Sequence, residues 1–191
     1  MPTPISIADQ GFKLPVSLAN IGTTQTVFTD AGGSAITCQV SASPMPAPFN
    51  SDTGWQRLYQ NIVFDVKAAG LFTGAGTATT FIPTLQFGNS ATAGSNSAVA
   101  AMTAQTVTSV SGNWMIEAEL MWDPTSTKIF GIFWGWIGNI GTIQAQTYVT
   151  PTTLTAANFF ATGMHFSVTA AFSGANAANT ATLTQFDIDP V

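Results

Sequence analysis

Apolar residues in this chain recur at every second position in short runs, not at the three- and four-residue steps of a helix. Runs rich in Thr, Val, Ile and Phe are punctuated by Gly, Pro, Asn and Ser, the layout of strands and turns in an all-β protein. The clearest strand is Trp114 to Trp122. Trp114, Ile116, Ala118, Leu120 and Trp122 share one face, and Met115, Glu117, Glu119 and Met121 the other. The first set is expected to face a core. Gly112-Asn113 predicts a turn before it, and Asp123-Pro124 ends it.

Tyr59 to Lys67 alternates in the same way, with Ile62, Phe64 and Val66 as the inward set. Phe159 to Phe172 predicts a longer strand, in which Met164, Phe166, Val168 and Phe172 alternate against His165, Ser167, Thr169 and Ala171. Gly174-Ala175-Asn176 then predicts a turn and Thr180 to Ile188 a returning strand, together a C-terminal hairpin. Leu183 and Phe186 differ in parity, which predicts a bulge between them. Further strands are expected at Thr24–Thr29, Ala35–Ser41, Thr80–Phe87, Val99–Val110 and Thr142–Thr150. Pro44 to Pro48 and Gly88 to Ser97 read as loops.

The total is about eight to ten strands, enough for two packed sheets. The expected fold is therefore all-β, a single-domain antiparallel β-sandwich, jelly-roll-like. Residues 1–20 alternate weakly and hold three prolines, which predicts an N-terminal arm or edge strand. Residues 21–191 are expected to form one β-sandwich domain, since no repeat or linker interrupts them.

One run breaks the alternation. Ile129 to Ile137 carries Ile129, Phe133 and Ile137 on one face, with Gly131 and Gly135 between them, and Phe130, Ile132, Trp134 and Trp136 on the other. A strand buried on one side only has a polar face. Three explanations fit. The strand is central with a loop over its outer face; or Phe130, Ile132, Trp134 and Trp136 form a subunit interface; or Trp134 and Trp136, with Trp55, form a platform that stacks on sugar rings.

Composition narrows the function. Only 7% of residues are charged, against about 25% in ordinary soluble domains. An enzyme draws its acids, bases and metal ligands from the residue types this chain withholds, so no catalytic activity, metal or cofactor is expected. Lys13, Arg57, Lys67 and Lys128 are scattered singly on a chain of net charge −5. That pattern excludes a cationic stripe for nucleic acid and an electrostatic membrane anchor. Met1-Pro2-Thr3-Pro4 lacks the basic and apolar regions of a signal peptide, and no run reaches the length of a transmembrane helix.

The candidate chemical groups are few. Cys38 is the one cysteine, which rules out a disulfide within the chain, and it reads as a half-buried strand residue. Glu117 and Glu119 suggest a glycosidase pair, but at i and i+2 of one strand they lie about 7 Å apart and point the same way. His165 has no second histidine and reads as a half-buried strand residue. Asp9, Asp123, Asp187 and Asp189 are of the type that holds calcium, without a ligand spacing to support it.

The stretch Asn113-Trp-Met-Ile-Glu-Ala-Glu-Leu-Met-Trp-Asp123, with Phe166-Ser-Val-Thr169 and Phe172-Ser-Gly-Ala-Asn-Ala-Ala-Asn-Thr-Ala-Thr-Leu-Thr-Gln-Phe186, resembles small virion proteins of tailed bacteriophages. The resemblance covers mainly the C-terminal half. It implies a capsid decoration (cement) protein: a structural, non-enzymatic homotrimer on the virion, assembled in the host cytoplasm. Its partners would be other copies of itself and the major capsid or another virion protein. A tail, baseplate or fibre component is the near alternative, and a carbohydrate-binding module or lectin the more distant one.

Overall fold

The computed structural model describes residues 5–6, 14–19, 21–39, 62–76, 80–88, 96–123, 128–138, 142–146, 152–153 and 165–190. The strands are β1 (Ile5–Ser6), β2 (Val16–Ala19), β3 (Thr26–Val27), β4 (Thr37–Gln39), β5 (Ile62–Thr73), β6 (Thr80–Gly88), β7 (Ser97–Ala101), β8 (Gln105–Thr106), β9 (Ser111–Asp123), β10 (Lys128–Ile137), β11 (Thr142–Gln146), β12 (Thr152–Thr153), β13 (His165–Phe172) and β14 (Thr180–Pro190). Nine of them are four residues or longer, within the range the alternation predicts. No α-helix occurs among the described residues.

The strands form two antiparallel sheets. The larger runs β1-β14-β5-β9-β10-β11, with β2 also on β14 and β12 also on β10. The smaller runs β3-β13-β6-β7, with β4 also on β13 and β8 also on β6. The result is a jelly-roll-like β-sandwich. Its core lies between the sheets, because every long strand of the larger sheet turns its apolar parity inward: Phe64 and Val66 from β5, Trp114, Ile116, Ala118 and Leu120 from β9, Ile129, Phe133 and Ile137 from β10. Rings from both sheets interlock there. Phe72 stacks on Phe81 at 5.1 Å, Phe81 meets Phe172 at 5.0 Å, and Phe64 meets Phe166 edge-on at 5.6 Å. Such pairs add about 0.5–1.5 kcal/mol each beyond their buried area.

Glycine admits two close approaches in the core. At Gly135 a Cβ would lie 2.8 Å from Met102 Sδ and closer still to the Met115 carbonyl. At Gly70 it would lie 2.9 Å from the Trp114 indole nitrogen, which donates to the Leu71 carbonyl at 3.2 Å.

The expected C-terminal hairpin does not form. β13 lies in the smaller sheet and β14 in the larger. Both edges of β13 are already taken, by β6 on one side and by β3 and β4 on the other. The chain therefore crosses between sheets over residues 173–179. Asn179 fixes the crossing: its side-chain amide donates to the carbonyls of Gly174 (2.8 Å) and Ile21 (3.2 Å) and accepts from Ala75 N–H (2.9 Å). The predicted bulge is present, as a register shift between Leu183 and Gln185 that keeps both Leu183 and Phe186 in the core.

Other strands differ in extent. β5 begins at Ile62 and continues to Thr73, beyond the expected Lys67. The Val99–Val110 run splits into β7 and β8. β1 and β2 both pair with the outer edge of β14. Tyr59, Gln60, the Pro44–Pro48 loop, Asp9, Trp55 and residues 159–164 lie outside the described residues, as do the side chains of Cys38, Trp122 and Asp123.

Candidate functional site: the outer face of the larger sheet

Register assembles a site that no single stretch of sequence contains. On the solvent side of the larger sheet, Asp187 of β14 stands opposite Lys67 of β5, Lys67 opposite Glu117 of β9, and Glu117 opposite Trp134 of β10. One rung along the strands, Asp189, Asp65, Glu119 and Ile132 follow in the same order. The face is thus acidic over β14, β5 and β9 and apolar over β10. A groove of about 390 Å³ runs across it, lined by both rungs up to Trp134 and by Gln185.

Glu117 is the hub. Its Oε1 lies 2.8 Å from Lys67 Nζ, and its Oε2 accepts the Trp134 indole N–H at 2.7 Å. The Lys67 ammonium holds the carboxyl below the ordinary Glu value; partial burial opposes this, and the Trp134 hydrogen bond adds to it. The indole is therefore pinned by its polar edge while 37% of the residue remains exposed. Ile132 beside it is 42% exposed. Phe130 and Trp136 are half-buried on the same face. Among the described residues, Ile132 and Trp134 are thus the exposed part of the strand's second apolar face.

Further along, Gln185 donates to Asp187 Oδ2 at 2.7 Å, and Asp189 Oδ1 is buried without a hydrogen-bond partner. Glu117 and Glu119 occupy adjacent rungs of one strand face, and Glu117 is engaged by Lys67 and Trp134. They do not converge on a shared point as a hydrolytic pair would. Among the described residues, no group of three or more His, Cys, Asp or Glu is arranged to hold a metal ion.

His165 differs from its expected half-burial. Only 8% of it is exposed, and the other outward residues of β13, Ser167 and Thr169, are as buried. Burial pushes the imidazole below its ordinary value, and its Nδ1 has no hydrogen-bond partner. Alternation alone marks this face of β13 as solvent-facing, so its burial was not readable from the sequence. Of the tryptophans read as a sugar platform, Trp134 and Trp136 share this face, and Trp55 lies outside the described residues. Lys67, Asp65, Asp187 and Asp189 were not expected at the site. Their outward parity was visible, but the strand order that brings them together was not.

Fold and groove together define a jelly-roll-like β-sandwich with a half-apolar, half-acidic sheet face. No family model matches the chain, and no curated protein does. Among solved structures it is similar to lectin I-B4 from Griffonia simplicifolia in its metal-free form, at 12% identity over 93% of each chain with a TM-score of 0.36. It is similar to lectin UEA-II complexed with galactose, at 8% identity over 94% of this chain and 99% of that one, with a TM-score of 0.42. A third is the winged bean acidic lectin complexed with methyl-α-D-galactose, at 10% identity over 92% of each chain, TM-score 0.35. At these identities and scores the likeness carries no argument about what this chain binds. No helix among the described residues is long and apolar enough to cross a membrane.

Proposed function

We propose that this chain is a non-enzymatic accessory structural protein of a phage particle, of capsid-decoration type, that docks on its neighbours through the outer face of the larger sheet. The observation that carries the docking surface is the exposed pair Ile132 and Trp134 in mid-strand on β10, with Phe130 and Trp136 flanking it. Aromatic residues held rigidly in a sheet lose little side-chain entropy on binding, and they dominate the centres of protein interfaces. The phage setting is supported by the sequence resemblance, and the non-enzymatic reading by the scarcity of charged residues. A cement protein acts by adding buried area across neighbouring shell subunits, which stabilises the assembly by mass action.

Light scattering over a dilution series tests the assembly. A stable mass near three times 19.9 kDa is the expected result, and a monomer at every concentration counts against the trimer. Trp134→Ser is expected to weaken binding to particles of a phage that carries the protein. Unchanged particle binding would remove β10 as the docking strand.

A second reading, carbohydrate binding, is favoured by one feature: Trp134, pinned by Glu117, lines one end of a groove whose other end carries hydrogen-bonding Asp187 and Gln185. That is the combination of ring platform and polar acceptors that a sugar needs. It predicts a glycan-array signal that Trp134→Ser abolishes.

A further inference from the structure

The acidic half of the docking face has a consequence for its occupant. Five of the chain's nine acidic residues, Asp65, Glu117, Glu119, Asp187 and Asp189, line this one groove, with Lys67 as the one basic residue among the groove's described lining. Glu117 is taken by Lys67 and Trp134, and one oxygen of Asp187 by Gln185. Asp189 Oδ1 is buried and unpartnered. Asp189, Asp65 and Glu119 stand directly opposite one another across three strands, an arrangement of like charges that disfavours the free protein. Carboxylates in this setting are satisfied by a cationic partner. A second copy of this face would bring acid onto acid, so the same charges oppose packing of the face on itself.

We infer that the groove receives an arginine-bearing segment of a partner protein, one guanidinium lying over the exposed face of Trp134 and donating to Glu119 on the adjacent strand, and a second arginine of the segment reaching Asp187 on β14. Arginine fits better than lysine. Its planar fork pairs with carboxylates and stacks on an indole, and it is less strongly hydrated. The inference rests on the proposed docking face and names the chemistry of its occupant. Charge complementarity carries it, together with the fixed Trp134 ring that borders the acidic groove.

The test is a titration of the full chain, labelled with nitrogen-15, with a capped peptide of alternating Gly and Arg at low salt; the matching Gly/Glu and Gly/Gln peptides are controls. Saturable amide shifts are expected on β5, β9, β10 and β14 with the Arg peptide alone. The Glu119→Gln, Asp187→Asn double variant should lose affinity by about tenfold, the scale of removing two exposed charge pairs. Near-physiological salt should weaken binding, since screening acts over about 8 Å. Both variant positions are partly or fully exposed, and an unchanged melting temperature confirms that folding is preserved; Glu119→Lys serves as a second variant.

Absence of Arg-peptide binding, equal binding by the double variant, or shifts confined to other strands would overturn the cationic occupant. A rise in the solution mass of the double variant would overturn it in favour of a second copy. The docking face itself is judged separately, by the effect of Trp134→Ser on particle binding. If that effect is present while the carboxylate variant binds peptide normally, the face stands and its cationic occupant falls. If neither has an effect, both fall.

Discussion

At the scale of single residues, the most consequential side chain is one that the alternation pattern passes over. Asn179 falls between the predicted turn at Gly174–Asn176 and the predicted strand from Thr180, yet it is fully buried and ties Ile21, Gly174 and Ala75 together with its side-chain amide. Each such bond contributes about 1 kcal/mol, and stranding buried partners costs more. Asn179→Ala is therefore expected to destabilise the fold by about 2–4 kcal/mol, read as a lowered urea midpoint at unchanged slope. A loss below about 0.5 kcal/mol would mean that the crossing is held by other contacts. Glu117 makes the opposite case. Its carboxyl is held below the ordinary value of 4.5 in the folded state, so the stabilisation from its pair is present above pH 4.5 and is lost as pH falls through the lower folded value. The pair is exposed, so its worth stays under about 1 kcal/mol. Wild type and Glu117→Gln should differ slightly at pH 7 and converge in acid; a difference independent of pH would count against the pairing.

At the scale of elements, parity on β9 and β10 was legible because each strand has an unbroken alternation and a fixed partner. The inward sets named from the sequence are buried where the structure describes them, and Met115 of the outward set on β9 is buried as well. Parity failed on β13, where His165, Ser167 and Thr169 are polar and buried. Nothing in a two-residue period separates a polar face under cover from one in water. The failure has a measurable result. His165 is neutral in the fold and held below its ordinary value of 6.5. The unfolded chain therefore takes up a proton first, and stability should fall as pH drops below 6.5. His165→Gln is expected to flatten that part of the stability profile, and an unchanged profile would place the pH sensitivity elsewhere. The edges show a second element-scale pattern. Both edges of each sheet are built from two short segments instead of one long strand: β1 with β2, β11 with β12, β3 with β4, and β7 with β8. Short, interrupted edges offer poor templates for further strands, which matters for a chain with few charged residues to hold copies apart. The packing behind β10 is equally exacting. Gly135→Ala is expected to cost about 1–3 kcal/mol because the Met115 carbonyl and Met102 already occupy the space, again read by urea denaturation.

At the scale of the whole molecule, two sheets and an aromatic core were readable from the alternation, whereas the order of strands was not. The site depends on that order. Lys67 and Glu117 are fifty positions apart, and Asp187 lies seventy beyond Glu117, so only the pairing of β14, β5, β9 and β10 makes them neighbours. A C-terminal hairpin was the local solution; the structure instead sends β13 and β14 into the middle of different sheets. That placement bears on how the protein is made. β3 and β4 pair with β13, and β1 and β2 pair with β14, so every described strand before β5 waits for residues beyond 164. At about 5–20 residues per second, the segment around Ile5 is made on the order of 10–40 s before Ile188 exists to receive it. Neither sheet can close until residues 165–190 have been made. The nascent chain must stay unaggregated with its earliest strands unpaired, and a chain cut before Thr180 has an unclosed larger sheet in place of a smaller version of this protein.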